Sequence, residues 1–320
     1  MPQKIIFDTD PGVDDAMAIQ VLLNSPEIEI LGLTTVFGNV DLEKTTENAL
    51  RLLEIADRTD IPVSKGADKP MTRSFGGGVP YVHGDDGMGN TFREASKYSV
   101  HDLSATDFVA EQVKRFPNEV TLLAVGPLTN LALFIQKYDN LIPLVKEVII
   151  MGGNAFAPGN ATPAAEANIL NDPEAADMVF ATNWKVSMIG LDVTHKVLMS
   201  STQLKEIASR SSEMNKYVSE AMIFYHGFYR KTNKIDGIFV HDSSAVAYLL
   251  NRELFTVETY PLKVETTNSI SFGKTWPLLD GEPDFEERPV LIPWQNRPKV
   301  NICVDVNSEE VLKLIMSRLS

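Results

Sequence analysis

The chain has 320 residues, 43 acidic against 29 basic, a formal net charge of −14, and 44% hydrophobic with 22% charged residues. That balance suits a globular protein with a sizeable core and argues against nucleic acid or an anionic membrane as partner, since both require basic patches. A single cysteine, Cys303, rules out an internal disulfide. With no signal-peptide layout and no apolar run of membrane-spanning length, a cytoplasmic protein is expected.

In chain order, Ile5-Ile6-Phe7 predicts a short buried strand. Asp8-Thr9-Asp10 follow, Pro11-Gly12 turn the chain, and Asp14-Asp15 open an apolar helix. Four carboxylates therefore fall within eight residues. One acid in a first helical turn merely caps the helix and meets its dipole, but four exceed that need. Crowded like charges require a cation or dense hydrogen bonding. Oxygen donors without Cys or His suit Ca²⁺ or Mg²⁺ rather than Zn²⁺, so a metal site is expected here.

Ile28–Val36 reads as a second strand ending at Phe37-Gly38-Asn39, followed by a helix from Leu42 to about Ala56 and a short strand at Ile61–Ser64. Residues Gly66 to Val100 are Gly-rich and irregular, a length of loop that is functional or disordered. Ser104–Phe116 is an amphipathic helix with Ser104 as N-cap; Val120–Val125 is a buried strand, GPLTN a turn and Leu128–Gln136 a helix. VKEVIIMGGN gives a further strand and glycine turn, Asp172-Pro173 open a helix, and Val186–Thr194 reads as a strand. From Ser200 to about Asn233 the pattern is mostly helical. His241–Leu250 is another helix, LKVETT and VNICVDV are short β runs, and a helix from Ser308 closes the chain. Strands alternating with helices predict an α/β fold, a doubly wound, mostly parallel, Rossmann-like sheet, in one domain over residues 1–320. Ligands of such sheets bind beyond the carboxyl ends of the strands, where DTDPGVDD, FGN, VGPLTN and MGGN all fall. The strand order is not readable from the sequence.

Three further groups bear on chemistry. Asn154, Asn160, Glu166 and Asn168 form an amide-rich set around one carboxylate, suited to vicinal hydroxyls, although each alone would serve its own loop backbone. His241 immediately precedes Asp242 at a helix start, which sets an imidazole beside a candidate metal carboxylate. Tyr225 and Tyr229 share a helix face and serve either the core or a ring-shaped ligand. IIFDTD also fits a haloacid-dehalogenase-type Mg²⁺ phosphatase, but that reading leaves Pro11, Asp14-Asp15 and the Asn/Glu loop unexplained.

Taken together, the chain resembles the inosine–uridine nucleoside hydrolase family through at least Leu250. The resemblance rests on DTDPGVDDAMA, Gly38-Asn39, HGDDGMG from His83, VGPLTN from Val125, MGGN from Met151, GNATPAAEANILNDPEAA from Gly159 and VHD from Val240. PAAEAN and the FYHGFYRK…HD region are similar to the uridine-preferring plant branch. The resemblance implies a Ca²⁺-dependent ribonucleoside N-glycosidase acting on uridine, inosine or xanthosine. Asp10, Asp15, Asp242 and the Val125 carbonyl would hold Ca²⁺, with Asp10 as general base for the activated water that attacks C1′. Asp14 and Asn168 would hold the ribose diol, Asn160 and Glu166 the 5′-hydroxyl with Met151 nearby, and Asn39 would lie close to metal and sugar. His241 would protonate a departing purine, His83 would contact substrate from a mobile flap, and Tyr225 and Tyr229 would approach the base. A homodimer or homotetramer is implied. Ala167, where many relatives carry Phe, and Met88, for a frequent Leu, depart from the pattern without touching metal or diol residues. A non-catalytic nucleoside-binding protein on the same fold is disfavoured by the intact aspartates.

Overall fold

The computed structural model describes residues 2–279 and 283–319. Strand β1 (Gln3–Thr9) is followed by β2 (Ile28–Thr35), β3 (Val63–Lys65), β4 (Thr121–Ala124), β5 (Glu147–Met151) and β6 (Val186–Ile189). Strands β7 (Leu198–Ser200) and β8 (Gly237–Phe239) form a small separate pair, and β9 (Phe255–Val264), β10 (Thr275–Pro277) and β11 (Lys299–Val306) complete the set among the described residues. The main sheet runs β10-β9-β11-β6-β5-β4-β1-β2-β3. From β3 to β11 every neighbouring pair is parallel, whereas β9 joins antiparallel to β11 and β10 antiparallel to β9. The order reverses at β1 and β4, the topological switch point where a ligand crevice opens.

The central strands read as continuous apolar runs because helices cover both faces. Ile5 and Phe7 face one core cluster, while Ile6 and Leu122 face the other. Helix Val13–Leu23 is buried nearly all round, as its even hydrophobicity requires, and packs beside the equally buried helix Asp242–Leu250. Ser104 and Asp172 cap their helices as expected, accepting from the Asp107 and Ala175 amides. One expected strand is corrected: Val186–Thr194 is strand only to Ile189. Gly190 then turns the chain into a helix over Leu191–Thr194, its carbonyl accepting from the Val193 and Thr194 amides. The helical region after residue 200 gives way beyond Leu250 to β9, β10 and β11, which build the far edge of the sheet.

The register of β1 against β2 shifts at Ile5/Ile6, and Gly32 lies at that irregularity. A Cβ there would stand 2.5 Å from Phe108 Cζ and 3.1 Å from the Pro62 carbonyl. Phe108 is buried to 1% exposure and its ring cannot swing away. Gly32→Ala is therefore expected to destabilise by about 1–3 kcal/mol through overpacking, and a thermal melt showing no loss would refute the tight contact.

Candidate active site

Two buried helices begin at the same point beyond the switch-point strands. Asp14 and Asp15 lie in the first turn of Val13–Leu23 and Asp242 in the first turn of Asp242–Leu250. Donor oxygens of these three residues all lie within 4.8 Å of one another, an arrangement able to hold a metal ion. Both helix dipoles thus present their positive ends to one cluster of acids. Asp15 is fixed by the Gly12 amide at 2.9 Å, the Thr9 hydroxyl and the Asn39 side-chain amide at 3.0 Å.

Asp10 stands beside this trio, at the end of β1. Its Oδ2 accepts from the Asn39 backbone amide at 2.8 Å, and its Oδ1 has no hydrogen-bond partner although buried. The carboxyl is wedged between two glycines: a Cβ on Gly38 would fall 2.0 Å from Oδ2 and one on Gly126 2.7 Å from Oδ1. Only hydrogen fits in either place. Asp14 accepts from the Tyr225 hydroxyl at 3.1 Å and also keeps a partnerless buried Oδ1. Burial first, then mutual repulsion, holds Asp10 and Asp242 well above the ordinary carboxylate range. Burial raises Asp14 to about 6, and burial with the Asp14 charge raises Asp15 to about 6. The fourth acid of the opening run does not join them. Asp8 turns toward the Thr34 hydroxyl and the Asn130 amide, and burial raises it to about 7.

On the other side of the nest, the Asn168 side-chain amide donates to the Val125 carbonyl at 2.6 Å and to the Met151 carbonyl at 3.1 Å. Glu166 caps the following helix, accepting from the amides of Gly153, Asn168 and Ile169. The Asn160 side chain accepts from the Ala167 amide. His83, in the loop expected to act as a flap, is buried and lines the cavity described below. Its Nδ1 accepts from the Val13 amide at 3.1 Å, and burial lowers its pKa to about 4. Met88, in the same Gly-rich loop, is fully buried, and Asp86 ties that loop by accepting from the Met88, Asn90 and Phe92 amides.

A chain of hydroxyls crosses the roof. Tyr225 lies 3.3 Å from the Tyr229 hydroxyl, which lies 3.1 Å from His241 Nε2, and His241 Nδ1 lies 2.9 Å from the Thr194 hydroxyl. Burial, with His195 and His83 nearby, lowers His241 to about 3, so the imidazole is neutral near pH 7. Of the metal, ribose and base residues implied by the family resemblance, all but Asp10 and Asp15 line one cavity of about 270 Å³, and those two bond Asn39, which does line it. Asn154, by contrast, is wholly buried and serves its own loop, through the Ala157 and Ala164 carbonyls. The cavity also takes in Tyr81, His195, Phe228 and Phe239, which the sequence did not mark. No local signal distinguishes them, because each reaches the site only through the packing of helix Glu213–Thr232 and the β7–β8 pair. A larger groove of about 580 Å³ lies between that helix and the helix Ser201–Ala208 and includes none of the clustered aspartates.

Fold and site together define an α/β enzyme with a carboxylate nest and an amide-rich wall at the switch point. The family model for inosine-uridine preferring nucleoside hydrolase matches residues 5–313. The chain is 40% identical to a probable uridine nucleosidase 2 of Arabidopsis thaliana over 99% of its own length and 97% of that protein's. It is 38% identical to an inosine-uridine preferring nucleoside hydrolase of Crithidia fasciculata, covering 86% and 87% of the two chains. The structure of a plant nucleoside hydrolase, the PpNRh1 enzyme, superposes with a TM-score of 0.92 at 37% identity, covering 100% and 99%. The chain belongs to the inosine–uridine preferring nucleoside hydrolase family, and its class of reaction is ribonucleoside hydrolysis.

Proposed function

We propose that the protein is a Ca²⁺-dependent hydrolase of the N-glycosidic bond of ribonucleosides, uridine, inosine and xanthosine among them, releasing ribose and free base. The observation that carries this reading is the buried aspartate nest opening into a cavity walled by Asn160, Glu166 and Asn168. The partnerless buried oxygen on Asp10, beside the clustered oxygens of Asp15 and Asp242 in an all-oxygen donor set, fits a hard divalent ion. Asp10, Asp15, Asp242 and the Val125 carbonyl would hold it. When bound, the ion supplies positive charge that offsets the crowded carboxylates and acidifies water.

The residues of the chain do the rest. Asp10 accepts the proton of the attacking water as its oxygen bonds to C1′ and the C1′–N bond breaks toward the base. Asp14 and Asn168 hold the 2′- and 3′-hydroxyls, and Asn160 and Glu166 hold the 5′ end. The transition state is oxocarbenium-like, and the flanking carboxylates stabilise its positive charge, as in O-glycoside hydrolysis. The departing purine takes its proton along the chain of hydroxyls that leads from Tyr229 to His241, which is neutral near pH 7 and passes on the N–H proton of its ring, so His241→Ala is expected to slow inosine far more than uridine. Equal loss on both substrates would remove that role. A lone cysteine, Cys303, leaves no internal disulfide, which supports the proposed cytoplasmic location, and a homodimer or homotetramer is the proposed assembly.

The test is free-ribose release from uridine, inosine, cytidine, adenosine and xanthosine, with and without EGTA. Release that stops with chelator and returns with Ca²⁺ is expected. No ribose from any nucleoside in the presence of Ca²⁺ would overturn the reading.

A further inference from the structure

The wall assigned to the 5′ side of the cavity is a loop running from Asn154 to Ala165 through AFAPGNATPAA. The Asn154 amide and the Thr162 hydroxyl close its far part from within, and its first turn, Ala155 to Ala157, is held from outside as well. Asp192, in the short helix after β6, accepts three successive backbone amides of the loop: Ala155 at 2.8 Å, Phe156 at 2.6 Å and Ala157 at 2.8 Å. From the opposite side Lys274, immediately before β10, donates to the Asn154 carbonyl at 2.6 Å and the Ala157 carbonyl at 3.2 Å. Thr275 adds a hydroxyl that both accepts from the Asn154 amide and donates to its carbonyl.

Asp192 and Lys274 are 7% and 8% exposed. Charges that deep are costly unless their hydrogen-bonding capacity is met, and here one loop meets both. The amides of the turn face the carboxylate and its carbonyls face the ammonium. Neither residue lines the cavity, and β9 and β10, which deliver Lys274, contribute nothing to its lining.

We propose that Asp192 and Lys274 form a two-sided clamp that positions the loop so that Asn160 and Glu166 meet the 5′ end of the ribose. They are positioning residues for substrate recognition, and this assignment rests on the nucleoside hydrolase reading above. The clamp also explains why the antiparallel edge of the sheet belongs to the working enzyme although it stands outside the cavity.

The test compares wild type with Asp192→Asn and Lys274→Met on uridine and 5′-deoxyuridine, together with amide hydrogen exchange of residues 155–157. Asp192→Asn leaves one acceptor oxygen for three amides, and Lys274→Met keeps the side-chain length without the donors. Each variant is expected to raise KM for uridine about tenfold or more while kcat changes less than about threefold, since a misplaced binding wall is costly. The preference for uridine over 5′-deoxyuridine should fall toward one, and exchange at 155–157 should quicken. Equal loss on both substrates, or an unchanged KM, would overturn the clamp. If Asp192→Asn does not fold, Lys274→Met carries the same expectation. A wild-type protein that releases no ribose sinks the proposed function instead, and the exchange measurement then decides the clamp by itself: faster exchange supports it and unchanged exchange overturns it.

Discussion

Asp10→Asn is expected to lose about 10³-fold or more in kcat, within the range of a removed general base, without loss of thermal stability. The asparagine oxygen can still accept from the Asn39 amide, so the tie between β1 and the loop after β2 survives. The charge it removes is one that burial and the neighbouring aspartates disfavour. The metal-free protein should therefore melt no lower than wild type. A variant that keeps turnover within tenfold of wild type would take the base role away from Asp10. One that melts far lower would mean that the carboxylate is structural.

The second large effect concerns ion binding. In the metal-free protein Asp242 is held neutral-leaning by burial and by Asp14, Asp15 and Asp10, in that order. Ca²⁺ binding to the folded state alone, at a hundredfold excess over Kd, adds about 2.7 kcal/mol of stability. Wild type should accordingly melt several degrees higher in Ca²⁺ than in EGTA. Asp242→Asn should melt in EGTA at or above wild type, because a neutral amide replaces a buried acid that its surroundings keep from ionising, and should show no shift with Ca²⁺. A full Ca²⁺ shift in that variant would place the ion elsewhere. Differential scanning calorimetry of the two proteins in both conditions gives the answer directly.

Much of this site was legible in the primary structure because its key residues sit in short runs at strand ends. The run Asp10 to Asp15 could be read as a ligand cluster, and Asp242 was marked by the histidine beside it. What stayed hidden was three-dimensional in origin. Asp8 belongs to the same acidic run, yet the Thr34 hydroxyl and the Asn130 amide draw it away from the nest. Phe239 and His195 enter the cavity only because β7 and β8 pair and helix Glu213–Thr232 packs beside them, contacts that no periodicity encodes. Val186–Thr194 looked like one strand because most of its residues are apolar or β-branched, and only Gly190 and the Asp192 that follows it mark the break. The strand order is likewise a property of crossovers, whose lengths do not say which edge each strand joins.

The nest draws its acids from the first strand, the first helix and a helix that begins only at Asp242, and Asn39 and Asn168 come from two further crossovers. No segment of the chain contains a working portion of it. Partly unfolded forms that keep one half of the sheet would therefore be inert, and inactivation should coincide with the cooperative loss of secondary structure rather than precede it. Catalysis in this protein is a reporter of global folding, and ribose release would serve as a sensitive probe of its unfolding equilibrium.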